Sequence, residues 1–98
     1  MLDKMKALMD MQRKMQEVKR ELEETYFDVL SSDGLVKITM NGAQEVREVF
    51  IEKESALADK SALEKSLKDV YNKAIKRSHD LTAQKMKNIT GMNIPGLL

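Results

Sequence analysis

The chain has no cysteine, no tryptophan, one proline, one histidine and four glycines in 98 residues. Disulfides, thiolate metal sites and cysteine nucleophiles are excluded, and a reducing compartment is the natural expectation. Aromatic residues make up only 4% of the chain, so a core must be built from Leu, Val, Ile, Ala and Met. The opening segment is broken by Asp3, Lys4, Lys6 and Asp10, which leaves no apolar run of the length that a signal peptide or a membrane span requires. A soluble, unexported, cytoplasmic protein is expected. There is no P-loop, dinucleotide fingerprint, nucleophile elbow or cluster of metal-ligand residues. His79, between Ser78 and Asp80, reads as a solvated helix residue. With no converging catalytic groups, neither an enzyme nor a metal, cofactor or small-molecule substrate is expected.

What is present is periodicity. Met1, Met5, Leu8, Met11, Met15, Val18 and Leu22 recur at intervals of three and four, which predicts a helix from Leu2 to Glu24 within segment 1–25. The stripe is narrow, close to the two-position seam of a coiled coil, and suits packing against one other helix. A second copy of the chain is one source of that helix. Tyr26, Phe27, Val29 and Leu30 favour a strand, closed by a turn at Ser31 to Gly34. Leu35 to Met40 and Gln44 to Ile51 flank Asn41-Gly42, the pattern of a two-residue hairpin whose corner residues both take positive φ. Three short strands leave two sheet edges open. Leu63, Leu67, Val70, Tyr71, Ala74, Ile75, Leu81 and Met86 then give one face of a second helix over 59–90. Ser61 with Glu64 has the form of a capping box and Asp59 is a competing cap. Gly91 is a helix stop, and Pro95 marks an extended tail over 91–98. The fold class is thus α+β in a single domain, 1–98: an N-terminal helix, a three-stranded antiparallel sheet over 26–51 and a C-terminal helix too long for a compact domain of this size.

The net charge of +1 conceals an uneven distribution. Residues 4–20 carry six Lys or Arg against two acids, residues 28–58 three against six, and residues 59–90 eight against four. Basic charge therefore lies on the two helices and acidic charge on the sheet. Lys6, Arg13 and Arg20 recur every seven residues, which keeps them on one side of the first helix. The lack of interleaved aromatics disfavours single-strand and RNA stacking modes.

Gly34 to Gly42, followed by Glu45-Val46 and a strand ending at Ile51, resembles the central signature of the YbaB/EbfC family. Thr90 to Leu97 resembles that family's C-terminal motif, and the run from Met9 to Met15 its first helix. The resemblance spans essentially the whole chain. It departs at Glu52-Lys53, where family members commonly have Asp-Pro, and at Met92, where a second Gly is frequent. The resemblance implies a homodimer with centrally joined sheets and paired helical prongs that grip double-stranded DNA, associated with the nucleoid and acting in DNA organisation or transcription. Phosphate contacts are assigned on charge and helix geometry alone: Lys6, Arg13, Lys14, Lys76, Arg77, Lys85 and Lys87. Dimer contacts are expected at Met11, Met15, Val18, Leu22, Val36 and Ile38. A rival reading is a dimeric adaptor or chaperone whose Met-rich first helix accepts an amphipathic segment of another protein.

Overall fold

The computed structural model describes residues 2–52 and 54–91. Helix α1 spans Leu2–Glu24, strands β1, β2 and β3 span Tyr26–Leu30, Val36–Asn41 and Val46–Ile51, a 3-10 turn spans Glu54–Ala58, and helix α2 spans Lys60–Thr90. Most of the tail predicted over 91–98 lies outside the described residues.

The strands form one antiparallel sheet in the order β1-β2-β3. Pairing places Phe27 and Val29 of β1, Ile38 and Met40 of β2, and Val46 and Val49 of β3 on one face, with Val36 opposite Ile51. α2 lies across this face over β2 and β1. Val36, Ile38, Met40, Val70 and Ala74 form the resulting core, with Phe27, Val29, Leu35, Leu63 and Ile75 packed around it. The alternation along β2 is that of a strand covered on one side. Both helices run beyond the sheet as an antiparallel pair, held by a second cluster of Val18, Leu22 and Met86 with Leu81 and Ile89. The protein is consequently elongated, 66 × 23 × 16 Å.

Several ends of elements differ from the sequence-based expectation. The Asn41-Gly42 turn is not a two-residue hairpin with positive φ at both corners. Asn41 is the last residue of β2, a β-turn closes from the Gln44 N–H to the Asn41 carbonyl (3.1 Å), and the positive φ falls on Gln44 at 65°. The reason is the use made of the Asn41 side chain. It is buried, donates to the Glu23 carbonyl (3.0 Å) and the Glu45 carboxylate (3.1 Å), and accepts from the N–H groups of Ala43 and Glu45. The side chain thus ties the end of α1 to the hairpin, and the turn moves one residue on. At the start of α2 the competing cap prevails: the Asp59 carboxylate accepts from the Ala62 N–H at 3.0 Å. Gly91 ends α2 in the left-handed conformation that the stop requires, its N–H on the Lys87 carbonyl.

A second polar cluster clamps the β1–β2 turn to α2. Asp33 accepts from Ser31 (2.6 Å), from the Leu35 N–H (3.1 Å) and from the buried Ser66 hydroxyl of α2. These bonds, the Ser31 hydroxyl foremost, hold the Asp33 carboxyl down at about 2. Asp69, bonded by the Ser32 N–H at 2.7 Å, is lowered as well. A carboxyl depressed in the folded state adds stability above its unfolded pKa and loses it as pH falls through the folded value. Thermal melts between pH 5 and 2 are therefore expected to show a falling Tm. Asp33→Asn lowers Tm at neutral pH and flattens that fall; an unchanged acid limb would remove Asp33 from the clamp.

Candidate nucleic-acid interface

Both helices owe their flanks to the same arithmetic. At about 100° per residue, the α1 seam of Met11, Met15, Val18 and Leu22 points at α2, and positions seven apart on the far side form a row. Lys6, Arg13 and Arg20 make that row. Arg13 and Arg20 line one shallow depression with Gln16 and Glu17. Arg13 makes an exposed contact with Asp10 at 3.6 Å, a pair weak enough to exchange for a phosphate. Lys6 and Lys14 are exposed to solvent.

On α2, Lys73, Lys76 and Arg77 line a separate depression with Asp80, Leu81 and Gln84. Lys76 and Arg77 are exposed, and the Arg77 guanidinium also lies over the Phe27 ring, 5.5 Å from its centre. Lys73 is committed within the fold, to the Ser32 hydroxyl at 2.6 Å and Asp69 at 3.3 Å. Lys87 is exposed near the end of α2. Lys85 is half-buried and paired with Glu21 of α1 at 3.5 Å, so its charge is largely used in holding the helices together.

Of the seven residues expected at phosphates, Arg13 lines the first depression and Lys76 and Arg77 the second. Each depression draws on one helix only. Arg20 was not among the seven, although the seven-residue spacing with Lys6 and Arg13 singles it out.

The sheet presents the opposite sign. On the face away from α2, Thr39 stands between Asp28 and Glu48 in register and donates to Asp28 at 2.6 Å. The two cations on this face are occupied: Lys37 pairs with Glu52 (3.8 Å) and lies over Phe50, and Arg47 lies over Tyr26.

The residues expected at dimer contacts differ in their exposure. Val18, Leu22, Val36 and Ile38 are buried at 3%, 9%, 0% and 4% exposure by their own chain. The helix that fills the α1 seam is α2, and α2 also covers β2, so Val18, Leu22 and Val36 are enclosed within the chain, while Ile38 lines the groove beside β3. Met11 and Met15 stay substantially exposed. The apolar surface missed by the sequence reading is on β3. Val46 and Val49, on the inner face, and Ile51 are exposed where α2 does not reach. With Ile38, Leu67, Lys68, Val70 and Tyr71, Val46 and Val49 line a groove of about 400 Å³ whose walls are almost wholly apolar. The alternation of Val46, Val49 and the residues around them was a usable signal; what could not be read was that α2 stops short of this strand.

Among the described residues, no group of three or more His, Asp or Glu could hold a metal ion, and no helix is long and apolar enough to cross a membrane.

A basic helix pair projecting from a small sheet that is acidic on its outer face defines a class of elongated α+β protein with its cationic surface on the prongs. The model of the YbaB/EbfC DNA-binding family matches residues 1–93, and the chain belongs to that family. A nucleoid-associated protein of Clostridium novyi is 35% identical over 95% of this chain and 83% of its own length. Another, from Flavobacterium johnsoniae, is 30% identical over 95% of this chain and 87% of its own. The fold is similar to the crystal structure of an uncharacterized protein from Helicobacter pylori, with a TM-score of 0.79 at 23% identity, covering 93% of this chain and 98% of the other.

Proposed function

We propose that this protein is a nucleoid-associated homodimer that binds double-stranded DNA through phosphate contacts from its helical prongs, acting in DNA organisation or transcription. The observation that carries this reading is the segregation of charge. Exposed cations line the outer flanks of α1 and α2, whereas Asp28 and Glu48 face away on the sheet. Lys6, Arg13, Arg20 and Lys14 of α1 make the primary contacts, and Lys76, Arg77 and Lys87 of α2 the second set. Lys85 contributes least, being held by Glu21. Such contacts release counterions and position the protein without reading bases.

The second copy docks at β3. An unpaired edge strand beside an apolar groove is a self-complementary surface, which a two-fold axis closes, leaving only the β1 edge of each copy. The prongs project past the β2–β3 turn, where Gly42 meets Leu22 and Leu81, and their outer flanks remain free.

One experiment tests both parts: duplex affinity and solution mass, measured together for the protein and for Val49→Asp. The protein is expected as a dimer whose affinity falls by about 10³-fold or more between ~50 and ~200 mM salt if six or more phosphates are contacted. Val49→Asp is expected as a folded monomer with much weaker binding. Absence of binding at low salt would shift the reading to an adaptor that accepts a helix of another protein, and a dimeric Val49→Asp would remove the β3 interface.

A further inference from the structure

The cation row on α1 has unlike neighbours on its two sides. Each member stands three residues after an acid: Asp3 before Lys6, Asp10 before Arg13 and Glu17 before Arg20. At about 100° per residue, Asp10 and Glu17 lie roughly 60° and 40° to one side of Arg13. Met9 and Gln16 lie roughly 40° and 60° to the other side, with Gln12 about 100° round in the same direction. One flank of the row is acidic, and from Met5 to Gln16 the other carries no charge.

Two depressions open along this uncharged flank. Arg13 and Gln16 line one with Arg20, which Glu17 closes on the acidic side, and the same two residues line another with Met9 and Gln12. Gln12 and Gln16 are exposed, and neither side chain has a hydrogen-bond partner among the described residues. Each amide has two N–H donors to give.

We propose that Gln12 and Gln16 are further phosphate contacts of α1, their amide groups donating to oxygens beside those held by Arg13 and Arg20. The inference rests on the DNA-binding reading above and adds to it two residues without charge. Electrostatics selects their flank. Neighbouring side chains on a helix stand ~5 to 6 Å apart, less than the ~10 Å over which 0.1 M salt screens a charge. A phosphate on the acidic flank therefore feels Asp10 and Glu17 about as strongly as Arg13, whose guanidinium is already shared with Asp10 at 3.6 Å. On the glutamine flank the cations attract without that opposition, and the amides add donors to the phosphate oxygens. Glutamine is one of the neutral side chains that fix a protein's position on the DNA backbone in this way. A neutral donor releases no counterion, so its share of the affinity persists as salt rises.

The test is duplex affinity across a salt series for the full chain, for Gln12→Ala with Gln16→Ala, and for Arg13→Gln. The alanine pair is expected to bind about tenfold more weakly at ~0.1 M salt, with the slope of log affinity against log salt unchanged. Arg13→Gln is expected to lower that slope by about 2 in a dimer, one for each arginine removed. Gln12→Glu with Gln16→Glu keeps the shape of both side chains but puts carboxylates at the phosphates, and is expected to weaken binding by about 100-fold. These positions are exposed and every replacement is a good helix former, so circular dichroism and melting are expected to stay as they were. Affinity of the alanine pair within twofold of the unsubstituted chain would overturn the proposal. So would a slope that falls as far as that of Arg13→Gln, or a melting point that drops along with the affinity. An unsubstituted chain that binds no duplex at low salt would remove the DNA-binding reading and this inference together, whereas the other failures leave that reading standing.

Discussion

Reversing Arg13 and Lys14 together to Glu is expected to weaken duplex binding by about 100-fold or more at ~0.1 M salt, with melting and solution mass unchanged. A dimer loses four cations by this double change. If each neutralises one phosphate, the slope of log affinity against log salt falls by roughly 3 to 4. The fold is spared because both side chains are exposed, and the one ion pair involved, Arg13 with Asp10, is of the kind worth little to stability. Lys37→Glu or Arg47→Glu provides the contrast. Those residues lie on the sheet, over Phe50 and Tyr26, on the face that also carries Asp28 and Glu48. Their reversal is expected to alter affinity by only a few-fold. If either weakened binding more than the Arg13 and Lys14 pair, the prongs would not be the DNA-binding surface.

Gly42→Ala is the largest expected loss of stability from a single methyl group, about 2 to 3 kcal/mol, or on the order of 10 to 20 °C in Tm for a domain of this size. Its cause is crowding and not backbone conformation. Gly42 is buried without a positive φ, and an added Cβ would stand 2.6 Å from Leu22 Cδ2, 3.0 Å from Leu81 Cδ2 and 3.1 Å from Leu22 Cα. The two leucine tips can swing aside, but the Leu22 backbone cannot. It is fixed by the Gly42 N–H, which donates to the Leu22 carbonyl at 2.9 Å, while the Gly42 carbonyl accepts from the buried Ser78 hydroxyl at 2.8 Å. Gly34→Ala supplies the comparison. There φ is +73° and nothing lies within 4 Å of the added atom, so only the left-handed strain of about 1 kcal/mol is expected. Melting curves of the two variants separate the mechanisms, and equal losses would refute the crowding at Gly42.

The elements were legible because each has its own local signature: a stripe at intervals of three and four for α1, β-branched runs for the strands, a left-handed glycine at the end of α2. Which surfaces meet was much less legible. The stripe through Val18 and Leu22 asks for a helix, but its pattern is the same whether that helix is α2 or a second copy, and the choice depends on how the sheet folds α2 back. Val36 and Ile38 were readable as one face of a strand, not as the part of the sheet that α2 covers. Asn-Gly signalled a hairpin correctly. It gave the wrong turn because local propensity could not register that the Asn41 side chain would be taken up by Glu23, eighteen positions earlier. The clamp of Asp33 on Ser66 joins residues 33 apart and has no sequence signature at all. For the interface, the seven-residue row on α1 was visible in the spacing, whereas the withdrawal of Lys85 into an ion pair with Glu21 appears only once the helices are side by side.

The junction at Gly42 has a mechanical consequence. The protein has two packed clusters, one under the sheet and one between the helices, and they meet where Leu22, Gly42, Ser78 and Leu81 touch. That point is a fulcrum, and each prong is a lever with its weight of positive charge well out along the arm. A rotation of about 5° at that point would sweep the far end of α1, roughly 30 Å away at ~1.5 Å per residue, through about 2.5 Å. In the dimer proposed above, two such arms would make a caliper. Its grip would then adjust to the local width and curvature of a duplex, as the proposed phosphate-held binding requires.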